Sequence, residues 1–141
     1  MKKNLDEKKY EDLYKRALAD YQNLEKRIGG EKEEFVKFAN AELILQILPG
    51  LDSLEKAEKH LQDEGLSLAV KQLKDGLAKV GLEEISVLGL EYNPETMECL
   101  ATGEGEENKV IEELRKGYLL NGKILRPALV RVGKKKEDKK Q

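Results

Sequence analysis

The sequence contains one cysteine, Cys99, one histidine, His60, and no tryptophan. A single cysteine cannot close an internal disulfide, and one Cys with one His does not supply the ligand set of a zinc site. We therefore expect no disulfide framework, no metal site and no cofactor. A reduced, cytoplasmic setting fits this cysteine usage best.

Aromatic residues make up only 5% of the 141 residues, whereas 38% of the chain is charged with a net charge of only -2. With so few aromatic residues, the chain has little large apolar volume with which to fill a single deep core. We therefore expect an elongated or oligomeric protein. The balanced charge does not favour a polyanionic partner. No apolar run approaches the ~20 residues of a membrane span, and the N-terminus lacks the apolar stretch of a signal peptide.

Apolar residues in the N-terminal third recur at alternating steps of four and three, which is a heptad pattern. This heptad stripe consists of Tyr10, Tyr14, Ala17, Tyr21, Leu24, Ile28 and Phe35 and reaches Phe38. No proline precedes Pro49, so the pattern predicts one helix from about Leu5 to Leu48, about 65 Å long. A narrow stripe on a long helix needs a partner, which predicts that residues 1–48 pair as a coiled coil in a homodimer.

The heptad stripe has one weak point. Glu31 occupies a stripe position between Ile28 and Phe35, directly after Gly29 and Gly30. Each glycine costs about 1 kcal/mol relative to alanine in a helix. We therefore expect thermal loosening of the long helix to begin at this segment.

Residues 49–81 are predicted to form the short-helix region. Pro49 and Gly50 break or kink the first helix, and Leu51, Leu54 and Leu61 continue an apolar face. A second amphipathic segment contains Leu66, Val70, Leu73, Leu77 and Val80 and stops at Gly81. Because both helices are apolar on one face only, two chains would pool them in a four-helix bundle.

Residues 82–133 change to a period of two, which predicts a small, mostly β C-terminal domain and an α+β fold class overall. The expected strands are "EEISVLGLEY", "ECLATGE", "NKVIEELRKGY" and the final hairpin around Asn121 and Gly122. Pro127 lies inside the last strand pattern, so that strand should be at an edge or carry a bulge there. The charged tail, residues 134–141, is predicted to be disordered.

No group of residues supports catalysis. His60 lies in a polar stretch and is expected on the surface, and the carboxylates are spread along helices. "GEGEEN" lacks the lysine and hydroxyl residue of a phosphate loop, so we interpret it as a turn. The lysines at 134–136 are few, and residues 61–132 hold 9 Lys and Arg against 13 Asp and Glu, a net of -4. This balance argues against a nucleic-acid-binding dimer.

Several segments together resemble the GrpE family. "YQNLEKR" and "KFANAELILQILPGLDSLEKA" are similar to the helical region of that family, and "YNPETMECLA" and "KGYLLNGKILRPALVRV" to its C-terminal signature. The resemblance covers nearly the whole chain, and the last segment is the most specific. It implies a non-enzymatic nucleotide exchange factor whose β domain wedges against the ATPase domain of a DnaK-type chaperone.

The resemblance also implies roles for individual residues. The chaperone contacts would be Lys123, Leu114, Val132 and, more weakly, Arg126 in the β domain, with Lys26, Arg27 and Phe38 in the helical region. The structural positions of the hairpin would be Gly117, Tyr118, Asn121, Gly122 and Pro127. Taken by themselves, Leu114 and Val132 could equally be core residues, and Lys123 could be a solvated turn residue. The main alternative function is a coiled-coil adaptor whose β domain binds another protein.

Overall fold

The computed structural model describes residues 2–135, with side chains from Asn4 onward. The chain divides between Lys37 and Phe38 into two compact units, which are described separately below. The helices are α1 (Lys2–Phe38), α2 (Ala41–Leu61) and α3 (Glu64–Lys79). The strands are β1 (Leu82–Glu84), β2 (Met97–Glu104), β3 (Val110–Arg115), β4 (Tyr118–Leu120), β5 (Lys123–Arg126) and β6 (Ala128–Lys134). This arrangement confirms the predicted α+β fold class.

The first unit is α1 without its last residue. The helix runs without interruption through Gly29 and Gly30, where an added Cβ would meet open space. The side chains of residues 4–37 are all exposed, and those of the heptad stripe include Tyr10 at 70% and Phe35 at 73%. Exposing a stripe of large apolar side chains to water is unfavourable for a single helix. Pairing of this helix with a second copy stays our prediction.

The predicted end of the long helix is wrong. The helix is interrupted by a turn at Ala39 and Asn40, not at Pro49, and Pro49 lies inside α2. The Asn40 carbonyl already accepts a hydrogen bond from the amide of Ile44, so α2 begins directly after the turn. A proline inside a helix costs about 3 kcal/mol. Burial of the apolar face of α2, with Leu48 at 0% and Leu51 at 1% exposure, offsets that cost.

Helix α3 begins and ends at residues that the sequence marks. The Asp63 side chain accepts a hydrogen bond from the Gly65 amide at 2.9 Å, which caps the first turn. Gly81 follows the helix with a φ of +97°, a left-handed conformation that favours glycine. The helix therefore stops where the sequence predicted, and the chain turns into β1.

The first sheet has the strand order β1-β4-β5, all antiparallel, and it packs on α2 and α3. The buried residues of this shared core are Ile44, Leu48, Leu51, Val70, Leu82, Tyr118 and Leu120. The short helices and the first sheet therefore share one core, although the sequence pattern had assigned them to neighbouring regions that meet at 81/82.

The second sheet has the order β2-β6-β3, with β6 parallel to β2 and antiparallel to β3. Its inner face forms a separate core of Ile85, Val87, Met97, Val110, Ala128, Val130 and Val132. The strand predicted at "EEISVLGLEY" is wrong beyond Glu84. The chain turns instead at Gly89, which has a φ of +79°, and returns only to a single bridge at Glu91.

The final segment forms the predicted hairpin and then changes sheet. Asn121 and Gly122, at φ +48° and +83°, connect β4 to β5 in a two-residue turn with both residues left-handed. Pro127 lies between β5 and β6, not inside one strand. Because proline cannot donate a ladder hydrogen bond, it interrupts the pairing where the chain passes from the first sheet to the centre of the second.

Strand β6 extends through Lys134, so the predicted boundary of the tail at residue 134 is wrong. Its residues 136–141 lie outside the described part of the chain. Within the described residues, no helix combines the length and apolarity needed to cross a membrane. His60 is exposed, as predicted, and Cys99 is exposed as well.

Gly117 provides a test of the packing between the two sheets. An alanine Cβ at this position would lie 2.9 Å from both the Pro127 carbonyl carbon and the Ala128 Cα. Since backbone cannot give way as a side chain does, Gly117→Ala should lower the free energy of unfolding by about 3 kcal/mol or more. Urea denaturation followed by circular dichroism measures the loss.

Gly122→Ala is the matched control. Gly122 has a positive φ but no atom within 4 Å of its added Cβ, so only backbone strain of about 1 kcal/mol should appear. Equal losses in the two variants would show that the close approach at Gly117 is not what requires glycine there.

Candidate functional site

The final hairpin presents Lys123 at the surface of the second unit. The residue begins β5 directly after the Asn121-Gly122 turn, and its side chain is exposed. Its Nζ lies 5.2 Å from the ring centroid of Phe38, within the range of a cation–π contact. Two of the candidate residues, 85 positions apart in the sequence, are thus brought together in the structure.

The candidates on α1 are described by themselves. Lys26 and Arg27 are exposed, and the Arg27 Nε lies 3.8 Å from the Glu31 Oε1 one turn later. Both side chains of this pair are about 70% exposed, at 69% and 72%, so water screens the interaction and its contribution is small. These two cations are accessible to a partner.

The structure separates Leu114 from Val132. Val132 is 8% exposed and belongs to the core of the second sheet, so its side chain is not on the surface. Leu114 is half-buried on β3 and, with Leu100 and Leu129, lines a cavity of about 400 Å³ beside α2. We therefore treat Val132 as a core residue, and Leu114 remains a candidate for contact.

Arg126 is also a structural residue, although the sequence had suggested a surface contact. It is 7% exposed, and its guanidinium Nη1 and Nη2 donate to the Asp52 carboxylate at 2.8 and 2.9 Å. Its Nε and Nη2 also donate to the Lys116 carbonyl at 3.0 and 2.6 Å. Because the guanidinium is buried and bonded within the chain, we treat Arg126 as a structural residue.

A second set of charges surrounds Glu55, which is only 8% exposed. One carboxylate oxygen lies 2.8 Å from the Lys116 Nζ, and the other lies 3.1 Å from the Lys74 Nζ as an ion pair without aligned hydrogen-bond geometry. Lys116 also lies 3.4 Å from Glu84. Burial lowers the pKa of Lys116, but its hydrogen bond to Glu55 and the charges of Glu55 and Glu84 outweigh burial and raise the pKa.

These contacts define an ion-pair network of Asp52, Glu55, Lys74, Glu84, Lys116 and Arg126. It connects α2 and α3 with β1, β5 and the segment between β3 and β4. This network was not predicted from the sequence. The available signal was the spacing of Asp52 and Glu55, which places two carboxylates one turn from the buried Leu48 and Leu51.

The arrangement offers groups that suit recognition of a partner. The charged side chains of the network are paired with one another, and no described group of three or more His, Cys, Asp or Glu could hold a metal ion. What the unit offers is an exposed lysine on a short, packed hairpin. That geometry suits a protein-binding surface held in a fixed orientation.

Glu113 provides a pH test of the electrostatics beside the network. Burial raises the pKa of its carboxyl, and the charge of Glu84 raises it further. A raised folded-state pKa stabilises the protein fully below the unfolded value of about 4.3, and this contribution is lost as pH rises through the folded pKa. Glu113→Gln should therefore unfold at higher urea concentration than the parent near pH 7, with the difference vanishing near pH 4.

Glu112→Gln is the control for this comparison. The Glu112 side chain is 52% exposed and pairs with Arg131 at 3.1 Å, so it should bring no gain at either pH. A Glu113→Gln protein that is no more stable than the parent near pH 7 would contradict the raised pKa.

Comparison with known proteins agrees with this geometry. The family model for GrpE matches residues 1–134. A protein named Protein GrpE from Methanosphaera stadtmanae is 40% identical over 133 residues, covering 89% of this chain and 77% of the relative. Proteins of the same name from Carboxydothermus hydrogenoformans and Methanobrevibacter smithii are each 41% identical, covering 86% and 89% of this chain and 68% and 72% of their own lengths. The chain belongs to the GrpE family of co-chaperones.

Proposed function

We propose that this protein is a nucleotide exchange factor that binds the ATPase domain of a DnaK-type chaperone and promotes ADP release. The observation that carries the proposal is Lys123, exposed on the hairpin that bears the family's C-terminal signature and lying over Phe38. In this proposal Leu114 on β3 adds an apolar contact, and Lys26 and Arg27 on α1 add a charged one. The protein acts in the cytoplasm, in protein folding and the response to heat stress.

Such a factor needs no chemistry of its own. It accelerates release because it binds the open, nucleotide-poor conformation of the chaperone better than the closed one. The shift equals the difference between the two affinities, so a factor that binds both conformations equally tightly would change nothing. By the same linkage, nucleotide binding expels the factor. This requirement explains why the working residue is on a short, packed hairpin and not on a long loop.

The protein works as a homodimer in this proposal. The heptad stripe of α1 is exposed, and α2 and α3 expose large apolar residues including Leu43 at 58%, Leu61 at 64% and Leu68 at 58%. Two copies would bury the stripes against each other as a coiled coil and pool α2 and α3 in a four-helix bundle. One dimer would then present two β domains.

Sedimentation tests the dimer. At micromolar concentration we expect twice the mass of one 16.0 kDa chain, because helices with one apolar face have little stability alone. A monomer that keeps its full helical circular dichroism signal would contradict this part of the proposal.

The exchange activity is tested by stopped-flow release of fluorescent ADP from a DnaK-type chaperone. The protein should accelerate release, and Lys123→Glu should reduce the acceleration at a given concentration about tenfold or more, since it reverses a charge at the proposed contact. Dimerisation and the thermal melt should not change. The unchanged melt separates a lost contact from a lost fold.

Lys134→Glu is the matched control, because Lys134 is also exposed but ends β6 in the other sheet. Equal effects of the two substitutions would mean that overall charge, not the hairpin, governs binding. A parent protein that leaves ADP release unaltered would favour the adaptor function over exchange.

A further inference from the structure

A two-pronged polar contact joins helix α2 to the hairpin that carries Lys123. The Arg126 guanidinium donates two hydrogen bonds to the Asp52 carboxylate, at 2.8 and 2.9 Å, across 74 positions of sequence. The side chains are 7% and 19% exposed. Paired, parallel hydrogen bonds between two charged planar groups fix an orientation as well as a distance.

Arg126 is connected to two further parts of the β domain, one by hydrogen bonds and one along the backbone. It donates to the Lys116 carbonyl, which fixes the segment between β3 and β4. Arg126 also directly precedes Pro127, where the chain leaves the first sheet, and Ala128 begins the central strand of the second. A change at this one side chain therefore affects α2 and both sheets.

We propose that Asp52 and Arg126 are positioning residues that hold the β domain at a fixed angle on α2, so that the hairpin can distinguish the open from the closed chaperone. This inference rests on the proposed exchange function. Neither residue contacts the chaperone in it. Their effect reaches the partner through Lys123, three positions before Arg126 on the same strand.

The physical reason is the source of discrimination. An exchange factor selects the open chaperone only if binding to the closed chaperone would force the factor out of its own preferred shape. A β domain free to turn on α2 could follow the chaperone from open to closed while keeping its contacts. Such a factor still binds, but its affinities for the two conformations become similar, so the acceleration of release falls.

Apolar packing alone does not supply this constraint. The shared core of Leu48, Leu51 and Tyr118 holds α2 against the sheet, but apolar attraction is non-directional and permits small rotations. The two-pronged contact is directional and is shielded from water. The neighbouring pair of Glu55 and Lys116, at 2.8 Å, links α2 to the same segment and supports the same orientation.

Asp52→Asn tests the proposal, because it keeps the shape of the side chain while removing its charge and one acceptor. The full-length variant is titrated against a DnaK-type chaperone loaded with fluorescent ADP. We expect the maximal stimulated release rate to fall about fivefold or more, within the usual range of coupling between sites, while the half-saturating concentration changes much less. A lost contact such as Lys123→Glu should instead raise the half-saturating concentration.

Glu112→Gln is the control for a lost ion pair in the same domain, since the Glu112–Arg131 pair is exposed and joins two strands of one sheet. It should leave both parameters unchanged. Arg126→Lys, which keeps the charge but not the two-pronged contact, should show the same loss of maximal rate as Asp52→Asn. An unchanged maximal rate in both Asp52→Asn and Arg126→Lys, or a rate lost only together with the folded β domain, would overturn the proposal.

A second measurement does not depend on exchange. Cys99, the sole cysteine, is exposed on β2, and His60→Cys places a second exposed thiol on α2. Spin labels at these two positions, in chains diluted with an excess of unlabelled Cys99→Ser chains, report the distance between α2 and the β domain within one chain. The distance distribution should be narrow in the parent and in Glu112→Gln, and broad in Asp52→Asn.

The two measurements separate failure of the inference from failure of the proposed function. A distribution that stays narrow in Asp52→Asn overturns the positioning role even if exchange is confirmed. The other case is a distribution that broadens in Asp52→Asn while the parent protein does not accelerate ADP release. The pair would then still fix the orientation of the β domain on α2, but the proposed exchange function would be rejected.

Discussion

A buried guanidinium has to be paired, and in this protein that requirement links the helical and β parts of the second unit. Arg126 is 7% exposed and carries a positive charge, which the Asp52 carboxylate balances. Removing one partner of such a pair commonly costs about 3–5 kcal/mol, because the other charge stays buried alone. The pair therefore restricts the hairpin to arrangements in which β5 lies against α2.

The order of the sequence patterns predicted much of the fold, because each pattern reflects a local period. The helix that carries the heptad stripe, the end of α3 at Gly81 and the Asn121-Gly122 turn depend on neighbouring residues only, and the structure contains each of them. The pairing of the stripe stays a prediction. The sequence predicted the end of the first helix at Pro49, because proline is a strong local signal for a helix end. In the structure Pro49 lies inside α2, where burial of the apolar face offsets its cost. That burial is a tertiary effect, so the actual break after Phe38 was missed. The change of sheet at Pro127 was missed for the same reason.

The candidate site was predicted only in part. Lys123 came from the resemblance to the family, and its exposure and its contact with Phe38 agree with a binding role. Arg126 and Val132 share the same signature segment but face inward, because signature residues include those that build a surface as well as those that present it. The partner of Arg126 lies 74 positions away, so no spacing rule in a single sequence could have indicated it. The contact between α2 and the hairpin therefore arises only in the folded chain.

The central claim is that this protein distinguishes two conformations of a chaperone. Isothermal titration calorimetry of the full-length protein against the isolated ATPase domain of a DnaK-type chaperone, without nucleotide and with saturating ADP, measures that discrimination directly. The account predicts that ADP weakens binding about fivefold or more, and that this protein weakens ADP binding by the same factor. Equal affinities with and without ADP would contradict it.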